Sequence, residues 1–165
     1  MQTEERYAPQ IKFIGKKEQE MLATKSAAVV GLGALGSVAA ELLARAGVGK
    51  LILIDHDIVE LSNLQRQMIY DENDLDKTKA SVAEVKLKEI NSGIKIISYA
   101  EHLDEKNIGK ILDDLDVVLD CTDNFDTRFV IDEYCGKNMV PWVHAAAAGS
   151  VGNVLPIIGD FCLRC

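Results

Sequence analysis

Apolar positions fall along the chain in two alternating rhythms. Ala27, Ala28, Val29 and Val30 make a short continuous run that stops at glycines. Residues 36–46 then carry Val38, Leu42 and Ala46 on one helical face. A second run over 51–54 stops at Asp55, and 77–91 shows helical spacing through Ala83, Leu87 and Ile90. Residues 94–98 read as a strand and 108–112 as a short helix. Val117, Val118 and Leu119 form a third run ending in an acid, Asp120. Residues 127–137 read as a helix, and 140–143 and 154–158 as late strands. The stretch before Lys25 is polar and helix-prone, with Pro9 as a breaker. There is no internal repeat.

A strand buried on both faces needs an unbroken apolar run, and a helix that covers it needs only one apolar face. Their alternation predicts an α/β fold: a Rossmann-like, doubly wound, mainly parallel sheet with helices on both faces. The expected organisation is an N-terminal helical segment over 1–25 and a nucleotide-binding domain over 26–165. Asp55, Asp120 and Asp123 cluster just after strands, where ligands of such folds sit.

Composition narrows the classes. A chain of 165 residues, 48% hydrophobic, suits one domain with a real core rather than a disordered tract. A net charge of −8 argues against broad binding to nucleic acid or an anionic membrane. The opening Met1-Gln2-Thr3-Glu4-Glu5-Arg6 lacks a signal-peptide apolar core, and no stretch is long enough to span a bilayer. A cytoplasmic protein is expected. With no secretory signal, Cys121, Cys135, Cys162 and Cys165 do not read as a disulfide framework.

The chemistry begins at Gly31-Leu32-Gly33-Ala34-Leu35-Gly36, a G-x-G-x-x-G between a strand and a helix. Gly31 allows the tight turn, Gly33 lets backbone approach a phosphate or ribose, and Gly36 lets helix and strand pack closely. The helix start offers free N–H groups and a positive dipole end to an anion. Asp55, at the end of the next strand, is placed to accept hydrogen bonds from ribose hydroxyls. This set implies a nucleotide and leaves NAD and ATP both open.

A second constellation follows: Asp57-Ile58-Val59-Glu60-Leu61-Ser62-Asn63-Leu64-Gln65-Arg66-Gln67. Ser62 and Asn63 suit a helix cap or a sugar or phosphate contact. The planar fork of Arg66 suits phosphate oxygens, and Lys79 offers a point charge. Asp123 suits a Mg²⁺ bridging phosphates. Each residue also has a plain structural reading. Arg66 and Lys79 are also ordinary surface charges, Asp123 and Asn124 also helix caps, Cys121 a buried thiol and His144 a satisfied core histidine. Residues 145–149 are small and are expected to be flexible, leaving room beside the expected ligand edge.

Taken in order, the glycine loop, Arg45-Ala46-Gly47-Val48-Gly49, Asp55-His56-Asp57, Ser62-Asn63-Leu64-Gln65-Arg66-Gln67 and Asp120-Cys121-Thr122-Asp123-Asn124 resemble the ThiF/MoeB/HesA family, relatives of ubiquitin-activating enzymes. The resemblance runs from about Arg6 to Cys165. It implies ATP-dependent adenylation of the C-terminal glycine carboxylate of a ubiquitin-like or sulfur-carrier protein, in a homodimer. It also implies roles. Gly33 and Ala34 approach the nucleotide, and Asp55 binds the ribose. Asn63, Arg66 and Lys79 meet the phosphates, and Asp123 serves the Mg²⁺–phosphate centre with Asn124 beside it. Asp57, Ser62 and Gln65 belong to the same binding segments. Arg66, Lys79 and Asp123 are the catalytic candidates. Residues 1–25 would form a dimer contact.

Two departures stand out. The family's Arg-Tyr-x-Arg-Gln opening is Arg6-Tyr7-Ala8-Pro9-Gln10 here, so proline replaces an arginine that reaches the partner subunit's site in family dimers. The family's zinc site uses two Cys-x-x-Cys pairs. Cys162-Leu163-Arg164-Cys165 matches the first and no second is present, which suggests a shortened or truncated member with half a Zn²⁺ site. These departures motivate a competing reading, a nucleotide-binding relative that no longer catalyses. A further alternative is an NAD-dependent oxidoreductase, although His56, His102 and His144 are scattered in sequence and suggest no hydride-transfer pair.

Overall fold

The structure is a computed structural model that describes residues 5–159 and 161–163. Its six strands are β1 (Ser26–Val30), β2 (Lys50–Ile54), β3 (Lys95–Tyr99), β4 (Val117–Asp120), β5 (Trp142–Ala148) and β6 (Val151–Ile157). They form one sheet in the order β3-β2-β1-β4-β5-β6. Neighbours pair in parallel except β6, which returns antiparallel to β5. Helices α1 (Ala8–Ile14) and α2 (Lys16–Leu22) precede the sheet. Then α3 (Ala34–Ala46), α4 (Lys79–Ile90), α5 (Ile108–Ile111) and α6 (Phe125–Asn138) alternate with the strands.

The two-sided core explains the unbroken apolar runs. Ala27 and Val29 of β1 pack with Leu51, Leu53 and Ile96 against Ala40 and Ala44 of α3 and Ala83 and Leu87 of α4. Ala28 and Val30 pack on the opposite face with Ile52, Ile54, Val118 and Trp142, against Ile108, Ile111, Ile131 and Cys135. Neither face of β1 meets water, so alternation would have been fatal there. The strand ends are level: Val30 stands beside Ile54 and Asp120, and Asp120 beside His144. The order reverses between β1 and β4, so the crevice for a ligand opens at their carboxyl ends.

Two expectations are corrected. Pro9 does not break a helix; it lies in the first turn of α1, where a missing N–H costs nothing and the fixed φ suits a helix. Residues 145–148 are not flexible but are paired strand, Ala145 with Val154 through Ala148 with Val151, and Gly149 (φ 58°) makes the turn. Boundaries also shift. Helix α6 starts at Phe125 because the Asn124 side chain accepts the Thr127 N–H at 2.9 Å and caps it.

The N-terminal helices are fastened to the domain by amides. Gln10 and Gln19 both donate to the carbonyl of Ala46, and Asn91 donates to Ala44 O and to the Tyr7 hydroxyl. These bonds satisfy carbonyls at the end of α3 that have no partner within the helix. Among the described residues no helix is long and apolar enough to cross a membrane.

Candidate functional site

A cavity of about 750 Å³ opens at the predicted edge, lined by residues that follow β1, β2, β3 and β4 and by Ala146, Ala147 and Ala148 of β5. Its floor is the glycine loop. Gly31 takes φ 83°, and a Cβ there would meet the Cys121 carbonyl carbon and oxygen within 3 Å. Gly36 packs so tightly that a Cβ would fall 1.8 Å from Gly31 O. Gly33 is different: a Cβ there would meet only Gln67 Nε2, at 3.7 Å, so its bare backbone faces the cavity. Gly33 is also the N-cap of α3 and offers no side-chain cap, leaving that helix start open to an anion.

Asp55 ties the loop to the second strand. Its Oδ2 accepts the Leu32 N–H at 2.6 Å and its Oδ1 accepts the Asp57 N–H at 2.8 Å. Burial pushes its carboxyl above the ordinary carboxylate value of 3.8, against the two amides and the Lys79 charge that pull it down. Each oxygen keeps a lone pair for a further donor such as a ribose hydroxyl. Asp57 moves the other way. Burial raises it, but the Lys79 hydrogen bond and charge, with His56 nearby, outweigh that, and its carboxyl lies low.

Lys79 is only 6% exposed and donates Nζ to Asp57 at 2.8 Å. It stands in the first turn of α4, against the positive end of the helix dipole. A buried cation there is costly unless something anionic gathers around it. Arg66 is exposed, lines the cavity and spends one nitrogen on Ser62 O at 3.1 Å, leaving the rest of its fork available. Asn63 is buried and faces the cavity while its Oδ1 accepts the Glu60 N–H. Asp123 is exposed at the cavity wall and has no hydrogen bond or ion pair among the described residues, while Asn124 does the capping. A hard, free carboxylate of this kind suits Mg²⁺. Asp55, His56 and Asp57 also present three donor atoms within 4.8 Å of one another.

Of the residues singled out from sequence, the cavity therefore gathers Gly31, Gly33, Ala34, Asp55, Asp57, Asn63, Arg66, Lys79, Asp123 and Asn124. Gly36 works beneath it as a packing position. Ser62 and Gln65 are exposed and do not line it. Cys121 lines it, with a thiol that burial and the Asp120 charge push up to about 12, so it is a poor nucleophile at neutral pH. Cys165 lies outside the described residues, and Cys162 is disulfide-bonded, which corrects both the expectation of reduced cysteines and that of a half Zn²⁺ site, since a disulfide sulfur is not the thiolate that zinc binds.

Three features had no clear sequence signature. Gln67 is 3% exposed, lines the cavity, and its Oε1 has no partner among the described residues. Spacing could have found it, because 63 and 67 share a helical face. Tyr70, also buried, donates its hydroxyl to Leu32 O at 3.0 Å and so supports the glycine loop from below. Arg128 lines the cavity, lies 5.0 Å over the Phe125 ring and donates to Thr122 O at 2.5 Å.

Known proteins share this arrangement. The ThiF family model matches residues 7–165. The sulfur carrier protein ThiS adenylyltransferase of Bacillus subtilis is 37% identical over 97% of this chain and 49% of its own length. The molybdopterin-synthase adenylyltransferase of Haemophilus influenzae is 41% identical over 90% of this chain and 62% of its own. The chain thus spans about half to under two thirds of these relatives. Among solved structures, the E. coli tRNA N6-threonylcarbamoyladenosine dehydratase TcdA in complex with ATP superimposes with a TM-score of 0.85 at 28% identity, over 90% of this chain and 62% of that one. With the sheet order, the glycine loop and the polar segments all accounted for by one match along nearly its whole length, the chain belongs to the ThiF family.

Proposed function

We propose that this chain is the nucleotide-binding part of an adenylyltransferase that activates the C-terminal glycine carboxylate of a ubiquitin-like or sulfur-carrier protein ending in Gly-Gly. The observation that carries the reading is the convergence, on one cavity, of an uncapped helix start, Asp55, the cations Arg66 and Lys79, and the unpartnered Asp123. The names of the relatives that are 37% and 41% identical support it, and the ATP-bound neighbour favours ATP over NAD.

In this reading Asp55 accepts the ribose hydroxyls, and Gly33 and Ala34 present backbone N–H groups to the phosphates. Asn63, Arg66 and Lys79 spread positive charge along them. The carboxylate oxygen of the carrier attacks the α-phosphorus, the bond to the bridging oxygen breaks, and pyrophosphate leaves with both electrons of that bond. The step needs charge neutralisation and alignment rather than a protein nucleophile, which agrees with the protonated thiol of Cys121. Asp123 would hold Mg²⁺, which would neutralise charge on the phosphates. The alanine wall of β5 leaves width for a glycine tail, with Ala146 at the cavity.

The same reading takes the protein to be a cytoplasmic homodimer with residues 1–25 at its contact and with no nucleic-acid or membrane partner. Pyrophosphate exchange that requires a Gly-Gly-ending carrier is the test. Folded protein that binds Mg·ATP yet shows no exchange with any such carrier would overturn the catalytic reading. It would favour a nucleotide-binding relative that has lost turnover, a possibility raised by Pro9. Gain of exchange in Pro9→Arg would then assign the loss to that position.

A further inference from the structure

Asp120 is fully buried at the end of β4, under the loop that carries Asp123. Its Oδ1 accepts both the N–H of Thr122 at 3.0 Å and its hydroxyl at 2.6 Å. Its Oδ2 lies 2.7 Å from Nδ1 of His144, a hydrogen-bond contact between the two side chains. The Arg128 Nε lies 3.5 Å from the same oxygen and has no hydrogen-bond partner among the described residues, while its Nη2 donates to Thr122 O. Every polar group of Thr122 is therefore held by Asp120 or Arg128. On the other side of Asp123, Asn124 is fixed as the cap of α6. Asp123, with no partner among the described residues, thus sits between two residues that are each held by hydrogen bonds.

We propose that Asp120, Arg128 and His144 form a buried clamp that sets the position of Asp123, acting as positioning residues for the magnesium side of the site. His144 gives the clamp a second end. It belongs to β5, two residues before Ala146, so the contact ties the strand that walls the cavity to the loop that bears the acid. The inference rests on Asp123 serving Mg·ATP.

The test is ATP affinity by calorimetry, measured with Mg²⁺ and with EDTA, on wild type, Asp123→Ala, His144→Ala, His144→Asn and Arg128→Met. Thermal melts accompany each protein. Groups behind a metal ligand typically govern about 10- to 100-fold of metal-dependent function. His144→Ala should therefore lose about tenfold or more of the affinity gained from Mg²⁺, with binding in EDTA unchanged; Arg128→Met should lose as much of the gain, measured against its own binding in EDTA because Arg128 also lines the cavity. His144→Asn should restore the gain, because its amide donates from the place of Nδ1. If His144→Ala and Arg128→Met keep the full Mg²⁺ gain while Asp123→Ala loses it, the clamp is wrong and the role of Asp123 stands. Equal losses with and without Mg²⁺ would make the trio general scaffolding and also overturn the proposal. If Asp123→Ala keeps the gain, the reading of Asp123 fails and the clamp fails with it.

Discussion

Gly36→Ala should unfold the site from its floor, and the geometry sets the scale. A methyl group there would lie 1.8 Å from Gly31 O, 2.9 Å from Gly31 C and 3.1 Å from Cys121 Cβ. An unstrained carbon–oxygen contact is about 3.3 Å, so roughly 1.5 Å of clearance must be created. The obstacle is backbone, held in place by the 2.8 Å bond from Gly31 N–H to Ile54 O, and not the tip of a flexible side chain. Overpacking costs about 1–3 kcal/mol, and an obstacle of this kind belongs at the upper end. Replacing glycine by alanine inside a helix returns about 1 kcal/mol. The net loss is about 2 kcal/mol, or a fall in Tm of about 4–8 °C for a chain of this size. Gly33→Ala is the control. Its new methyl meets only Gln67 Nε2 at 3.7 Å, and as an N-cap change it should cost no more than about 1 kcal/mol. Melts followed by circular dichroism, with ATP titrations on both variants, separate the two. Gly33→Ala should bind ATP poorly while nearly keeping its Tm, and Gly36→Ala should lose both. A Gly36→Ala protein that melts with wild type, or a Gly33→Ala protein that melts as low as Gly36→Ala, would refute the division of labour.

Two further outcomes follow from buried polar groups. Gln67→Leu removes an amide whose oxygen has no partner, so stability should hold or rise. ATP affinity should fall about tenfold, the worth of about one hydrogen bond to a charged group; reduced stability with unchanged ATP affinity would sink this. Asp55 titrates above its ordinary value because it is buried. Between the unfolded value near 3.8 and that raised value only the folded chain holds the proton. The contribution of Asp55 to stability is therefore full below the window and lost as pH rises through it, while ATP affinity rises as the carboxylate forms. Urea titrations and ATP titrations across that range should show both trends in wild type and neither in Asp55→Asn. The variant also loses stability, since it turns an NH₂ toward one of two backbone donors. A wild-type stability profile that does not differ from the variant's would refute the assignment.

The sequence by itself determined the elements and most of the cavity wall. Strands buried on both faces must be continuously apolar, so 27–30, 51–54 and 117–119 were legible without a partner in view. The glycine loop, Asp55 and Asp123 were legible because they follow those strands closely, and strand ends are where a doubly wound sheet binds; Asn63, Arg66 and Lys79 lie farther along the chain and were legible through the ordered motifs that resemble the family. What only the tertiary structure decided are choices that local pattern leaves equivalent. Gln65 and Gln67 look alike in the chain, yet the helical turn after Asn63 buries one against the glycine loop and leaves the other in water. Asp123 and Asn124 could each cap α6; the loop geometry gave the cap to Asn124 and left Asp123 open to the cavity. Pro9 reads as a breaker in the chain alone and only the fold places it in a first helical turn, while the small residues of 145–148 become strand only because β6 pairs with them. The Asp120–His144 contact joins residues 24 apart in sequence. It exists because the parallel register sets β4 and β5 level at their ends, a relation fixed by packing between strands and written in neither strand alone.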